Sequence, residues 1–172
     1  MHVPSLLLQA RPLRALALAL ALVLALAPAA SGQEARTVRI GLSAGGVSTL
    51  GLLVEYVDGH GSTEFTIGTW SFRDLSVSLV RRQYFGVSAL RPVVGVGLWG
   101  ILATPEGERP GMALVVRAPI GMDWRADGAH FLTLDLNVNR GLWVRRTDPE
   151  DDTPLNQRLV PLPGISYRWW AR

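Results

Sequence analysis

In the stretch FLTLDLNVN, residues 131–139, apolar and polar side chains alternate without an error from Leu132 to Asn139. Successive side chains of a β-strand point to opposite faces, so the alternation predicts a strand with one aliphatic face and one polar face. The polar face carries a formal charge at Asp135. Such a strand separates an apolar medium from a polar one, which is typical of barrels and sandwiches.

The N-terminal segment has the pattern of an export signal. Arg11 and Arg14 precede an apolar run over 15–27, and small residues at cleavage-site spacing follow it. The run is shorter than the roughly 20 apolar residues that a membrane helix needs. We therefore predict a signal peptide over residues 1–32 that is removed before Gln33, in place of a retained membrane helix.

The composition excludes several classes of function. No cysteine is present, so the chain has no disulfide, no lipoprotein attachment site and no thiol chemistry. All basic residues apart from histidine are arginines, and the formal net charge of +3 falls close to zero once Arg11 and Arg14 are removed. This leaves no basic face, and we expect no nucleic-acid partner. Residues 33–172 are enough for one domain.

Eight strands are predicted in this domain, because period-two alternation recurs along it and turn signals such as Asp127-Gly128 separate the runs. No segment sustains helical spacing. The predicted runs are 37–43, 49–57, 62–70, 75–79, 94–98, 112–125, 131–139 and 164–170.

Alternation does not say which face looks inward, so a soluble barrel or sandwich with an apolar core competes with a membrane barrel that has an apolar coat. The long strands of the second half favour the membrane barrel, because roughly 9 to 11 tilted residues cross a bilayer. Aromatic residues near the strand ends fit the girdles that meet lipid headgroups. These residues are Tyr56, Trp70, Tyr84, Trp99, Trp124, Trp143, Tyr167 and Trp169.

The connection lengths provide a separate test of the membrane barrel. Outer-membrane barrels have short periplasmic turns and longer outside loops, so with both termini in the periplasm the even-numbered connections should be short. The even-numbered connections 58–61, 86–89 and 125–128 are tight, whereas the long segments 105–110 and 146–157 are odd-numbered. The lengths therefore have the parity of an outer-membrane barrel.

Three segments resemble small bacterial outer-membrane β-barrel domains of the eight-stranded OmpA/OmpX-like type. They are RPVVGVG at 91–97, IGMDWR at 120–125 and GISYRW at 164–169. The resemblance implies an all-β, eight-stranded antiparallel up-and-down transmembrane barrel in the bacterial outer membrane, surrounded by outer-membrane lipid. It also implies that Ile165, Tyr167 and Trp169 form the C-terminal signal read by the barrel assembly machinery.

Prolines interrupt two of the predicted strands. Pro161 and Pro163 cannot donate ladder hydrogen bonds, so either they lie at the outer rim or the sheet is not a closed membrane barrel. Pro119, inside the sixth strand, predicts a bulge.

Charged residues on the polar faces predict a structural network inside the lumen. Eight strands enclose a space that side chains can fill, which disfavours an open channel. The predicted network consists of Arg39, Glu55, Arg117, Asp123, Arg125 and Asp135. No metal-ligand spacing occurs, and we expect no cofactor.

These observations favour an outer-membrane protein with a structural or surface-interaction role and without catalysis. One alternative is a soluble periplasmic β-barrel or sandwich that binds an apolar ligand, which requires the leucine-rich faces to point inward. A second is an outer-membrane lipid-modifying hydrolase, which requires His60 or His130 within hydrogen-bond reach of a serine.

Overall fold

The computed structural model describes residues 37–105, 109–151, 153–155 and 158–171. The predicted signal peptide, residues 1–32, lies outside the described residues. Among the described residues, no helix is long and apolar enough to cross a membrane.

Eight antiparallel strands form a closed barrel, in which each strand pairs with its neighbour in sequence and β1 pairs with β8. This confirms the predicted all-β, eight-stranded antiparallel up-and-down architecture. The strands are β1 Thr37–Gly45, β2 Ser48–Asp58, β3 Gly61–Thr69, β4 Asp74–Tyr84, β5 Leu90–Ala103, β6 Gly111–Arg125, β7 His130–Arg145 and β8 Val160–Trp170.

The two ends of the barrel differ in their connections. We call the end with both described chain termini and the turns 59–60, 85–89 and 126–129 the terminal end, and the other the loop end. The loop end carries the connections 46–47, 70–73, 104–110 and 146–159. The two longest connections therefore share one end, as the parity of the sequence predicts.

The sheet closes through pairing of β1 with the part of β8 that follows its prolines. The β1–β8 ladder runs from Arg39 opposite Trp170 to Gly45 opposite Gly164, so Pro161 and Pro163 lie beyond its last pair. Both prolines pair with β7 only, and the Pro163 carbonyl accepts a hydrogen bond of 2.8 Å from the Gly46 amide. The prolines therefore lie at the loop-end rim, and the barrel is closed.

The bulge predicted at Pro119 is not there. Pro119 lies opposite Asn137 in an unshifted part of the β6–β7 ladder, and its ring is buried. The shift in this ladder occurs instead near the loop end, between Leu114 and Val115, where Leu142 of β7 has no partner. Leu142 is the extra residue of a β-bulge.

The leucine-rich faces point outward. Leu134 is 57% exposed, and Leu136 and Leu52 are also exposed. The soluble alternative requires these faces to line a core, so that prediction is wrong.

The aromatic residues predicted for the girdles divide into two groups. Four of them lie on the outward surface near strand ends, namely Tyr56, Trp124, Trp143 and Tyr167. Two others, Tyr84 and Trp99, are instead buried inside the barrel.

Candidate functional site: a layered lumen

Arg168 of β8 is the centre of the polar interior. Its side chain is fully buried, and it donates hydrogen bonds to the Glu64 carboxylate and to the Thr133 hydroxyl. Its Nε lies 3.4 Å from Glu55 Oε2, and its Nη1 lies 4.0 Å from Asp123 Oδ1. Burial of an arginine is tolerated only where such partners replace water, so Arg168 links carboxylates from three strands.

A second arginine extends the network toward the loop end. Arg82 Nη2 donates to Glu64 Oε1 at 3.0 Å and to Asp135 Oδ2 at 3.1 Å. Asp135 in turn accepts a hydrogen bond of 2.5 Å from the Asn137 amide. Charge-assisted hydrogen bonds of this kind are stronger than neutral ones, and here they cross the lumen from β4 to β7.

Arg117 is buried as well, but its hydrogen bonds go to neutral groups. Its Nη1 donates to Ser78 Oγ at 2.8 Å, and its Nη2 donates to the Asn137 side-chain oxygen. A small cavity of about 20 Å³ adjoins Arg117, Asp135 and Ser166. This volume is close to the roughly 10–15 Å³ that one water needs, so the cavity is far too small for a solute path.

The terminal end of the lumen is filled by aromatic rings stacked on arginines. The Arg39 guanidinium lies 3.8 Å from the centroid of the Phe131 ring and 4.2 Å from that of Trp170. Arg91 lies 4.1 Å from the Tyr84 centroid and donates two hydrogen bonds, of 2.9 and 3.0 Å, to Asp123 Oδ2. Cation–π contacts and ion pairs together occupy this mouth.

Glu55 joins the aromatic layer to the ionic centre. Its carboxylate accepts hydrogen bonds from the Tyr84 hydroxyl and from Ser62 Oγ, the latter at 2.5 Å. Its other oxygen lies 3.4 Å from both Arg39 Nη1 and Arg168 Nε. Three kinds of donor therefore fix this single carboxylate.

The loop end of the lumen is closed by apolar side chains. Val47, Trp99 and Val115 form a buried cluster, against which Ile101 and Leu162 pack. The Trp99 indole donates to Ser76 Oγ at 2.8 Å, and Ser76 Oγ donates to the Val47 carbonyl at 2.5 Å. The lumen is therefore layered, with aromatic rings and arginines at one end, ion pairs in the middle and apolar groups at the other end.

Five of the six residues predicted for the lumen network are brought together. Arg39, Glu55, Arg117 and Asp123 are buried, and Asp135 contacts Arg82. Arg125 is the exception. It shares the alternation of Arg117 and Asp123, but it is the last residue of β6 and is exposed. Its Nη2 lies 3.4 Å from the Val87 carbonyl oxygen in the turn 85–89. The placement of Arg125 in the lumen was wrong, because alternation predicts on which face of the sheet a side chain lies and not its height along the barrel axis.

Four charged lumen residues were absent from the predicted network. Glu64, Arg82, Arg91 and Arg168 all line the interior. A usable signal was present, since Arg82 shares its face with Ser76 and Ser78, and Arg168 alternates with the outward Tyr167 and Ile165. That the network acts only structurally stays a prediction.

Neither His60 nor His130 is arranged as a catalytic base beside a serine. Within the described residues, the side chain of His60 has no hydrogen bond, and His130 Nδ1 lies 2.6 Å from the Tyr167 hydroxyl with the two rings stacked. In the same part of the chain, no group of three or more His, Asp or Glu residues is placed to hold a metal ion. The histidine–serine geometry that the hydrolase alternative requires is therefore not found in the described part of the chain.

The turn 70–73 presents an unusual surface feature at the loop end. Phe72 has a φ of 60° and is 81% exposed. A positive φ is costly for a bulky residue, and hydrogen bonds hold the turn in this form. Asp74 accepts from the amides of Trp70 and Ser71, at 2.9 and 2.8 Å, and Thr69 Oγ1 accepts from the Phe72 amide at 2.8 Å.

Comparison with known proteins supports the fold. The barrel is similar to the crystal structure of the N-terminal β-barrel domain of OprF from Pseudomonas aeruginosa, with a TM-score of 0.53 over 78% of this chain and 96% of that one. The chain therefore shares the β-barrel fold of that domain. The two sequences are 13% identical, so the likeness concerns architecture. No protein-family model and no curated protein sequence matches this chain.

Proposed function

We propose that the mature chain is a bacterial outer-membrane β-barrel that acts as a membrane anchor, with a structural or surface-interaction role and without catalysis. The observation that carries the proposal is the inversion of the usual protein interior. Leucines cover the outside, whereas the ion pairs of Arg168, Glu64 and Arg82 are buried within. In water this arrangement would expose a large apolar surface, whereas in lipid the closed ladder presents no open sheet edge and the apolar coat faces hydrocarbon.

The layered lumen favours an anchor over a pore. The apolar group around Trp99 and the Arg39–Phe131 stack close opposite ends of the interior. The outward leucines provide attachment, and the loop end remains for contacts with the environment.

The outward face of β8 supports a further part of the proposal, namely recognition by the barrel assembly machinery. Ile165 and Tyr167 are exposed on this face, and Trp169 continues the same alternation. A recognition signal in the closing strand requires such an outward row of apolar and aromatic side chains.

Membrane fractionation combined with gel mobility tests the proposal. We expect the protein in the outer-membrane fraction, beginning at Gln33, and migrating differently in unheated and boiled samples because a closed barrel resists detergent. Recovery in the soluble periplasm would contradict it.

A substitution on the apolar coat sharpens this test. Leu134→Arg should destabilise the lipid-embedded barrel by about 2–4 kcal/mol, as expected near the bilayer midplane. The matched control is Leu142→Arg at the bulge, where proximity to the interface should limit the loss to about 0–1 kcal/mol. Equal losses at the two positions would contradict the assigned depth.

A further inference from the structure

The bulge at Leu142 redirects the end of β7. Residues 131–139 place odd-numbered side chains inside, but the extra residue reverses this parity, so that Trp143 lies opposite Leu114 and Arg145 opposite Met112. Trp143 and Arg145 thereby share the outward face with Arg140, which lies opposite Val116. The bulge creates an outward Arg-Trp-Arg surface that a regular strand would not have.

The height of this surface can be read from the register. Arg140 lies ten residues along β7 from His130, which pairs with Trp169 at the terminal end. At a rise of roughly 3.3 Å per residue and a strand tilt of about 40°, this separation corresponds to about 25 Å along the barrel axis, the height of an apolar band. Arg140 is therefore at the second interface, and Trp143 occupies an aromatic-girdle position.

The arginines of this surface have no protein partner. Among the described residues, the side chain of neither Arg140 nor Arg145 has a hydrogen bond or an ion pair, and both residues are exposed. At the opposite end of the barrel, the outward Arg81 lies 3.9 Å from Asp58 and donates to Thr63 at 3.3 Å. The outward arginine at the terminal end is thus neutralised, whereas the pair at the loop end is not.

A polar cavity continues the surface above Arg145. It has a volume of about 360 Å³, and its charged lining residues are Arg109, Arg145, Arg146, Asp148 and Asp151. Arg146 is paired with Asp151 at 3.1 Å, and hydrogen bonds from Thr153 and this ion pair hold the pKa of Asp151 below its usual range. Arg109 and Arg145 keep their guanidinium groups available within the same cavity.

We propose that Arg140, Trp143 and Arg145 form a site for the phosphate of an anionic lipid in the outer leaflet. Guanidinium groups bind phosphate oxygens through paired N–H donors, and an interfacial tryptophan places its ring among the headgroups. The unpaired positive charge, the girdle height and the bulge together favour a membrane lipid over a dissolved ligand. This inference rests on the proposed membrane location.

Lipid binding to the folded protein tests the site. Native mass spectrometry of the barrel in neutral detergent would compare diphosphorylated lipid A with phosphatidylcholine, for the wild type, Arg140→Gln, Arg145→Gln and Arg81→Gln. We expect each loop-end substitution to weaken lipid A binding about tenfold, as loss of one charge-assisted contact predicts, and Arg81→Gln to leave it unchanged. Heat-modifiable mobility of every variant establishes that it is folded.

Several results would overturn the inference. Equal binding of lipid A and phosphatidylcholine would show that the net negative charge of the lipid phosphates is not recognised, and an equal effect of Arg81→Gln would show that the position is not specific. Competition by millimolar inorganic phosphate would assign the site to a dissolved anion. If the wild type is folded in the outer membrane but binds no lipid A, the lipid site fails while the proposed function stands.

Discussion

At the scale of single residues, Arg168 is the position on which most of the lumen network depends. It forms ion pairs with both Glu64 and Glu55, and its side chain has no exposure to water. Replacing a buried charge while its partners remain leaves them without compensation, so Arg168→Met should lower the free energy of unfolding by about 3–5 kcal/mol. Urea unfolding of the barrel in lipid vesicles, followed by tryptophan fluorescence, measures this.

The exposed arginine at the end of β6 provides the matched control. Arg125→Met removes the same charge from the same kind of side chain but outside the lumen, so its effect should stay within about 0.5 kcal/mol. If Arg168→Met cost no more than Arg125→Met, the ion pairs of the lumen would not stabilise the barrel.

At the scale of strands, the approach of β4 to β5 depends on glycine. A Cβ on Gly97 would lie 2.0 Å from the Leu79 carbonyl oxygen and 2.7 Å from the Val80 Cα, so the strands would have to separate. Gly97→Ala should therefore cost about 1–3 kcal/mol, as overpacking typically does. The same unfolding measurement in vesicles, together with the yield of heat-modifiable barrel, checks this.

A substitution at Gly100 of the same strand is the control that distinguishes the effect of close strand approach from that of backbone flexibility. A Cβ there would lie 3.9 Å from the Val77 carbonyl oxygen, an ordinary contact. Gly100→Ala should leave stability unchanged or raise it by up to about 1 kcal/mol, because alanine restricts the unfolded chain. A loss at Gly100 equal to that at Gly97 would argue against the close approach as the cause.

Strand bounds were less predictable than strand number. Alternation located all eight strands, but β5 extends to Leu90 and Ala103, well beyond the predicted 94–98. The end of β7 was missed because the bulge at Leu142 breaks the period of two. A bulge depends on how two strands pair with each other and not on the local pattern of either one. The sequence of one strand therefore does not reveal it.

At the scale of the whole molecule, alternation predicts which residues share a face, while closure decides which face is inside. The apolar faces could have lined a core, and only the closed ladder with outward leucines excludes this. The height of a residue along the barrel axis is a second property that only the whole molecule determines. It separates the exposed Arg125 from the buried Asp123, although both follow the same alternation along β6.

The closed lumen predicts the behaviour of the complete barrel toward ions. A solute would have to pass the apolar group at Trp99, the ion pairs around Arg168 and the Arg39–Phe131 stack in series. The reconstituted wild type should show no steady conductance in planar bilayers, because each layer alone fills an eight-stranded interior. Trp99→Ala should also stay silent, since the ionic layer remains. Regular conductance steps in either protein would contradict the layered lumen and replace the anchor with a pore.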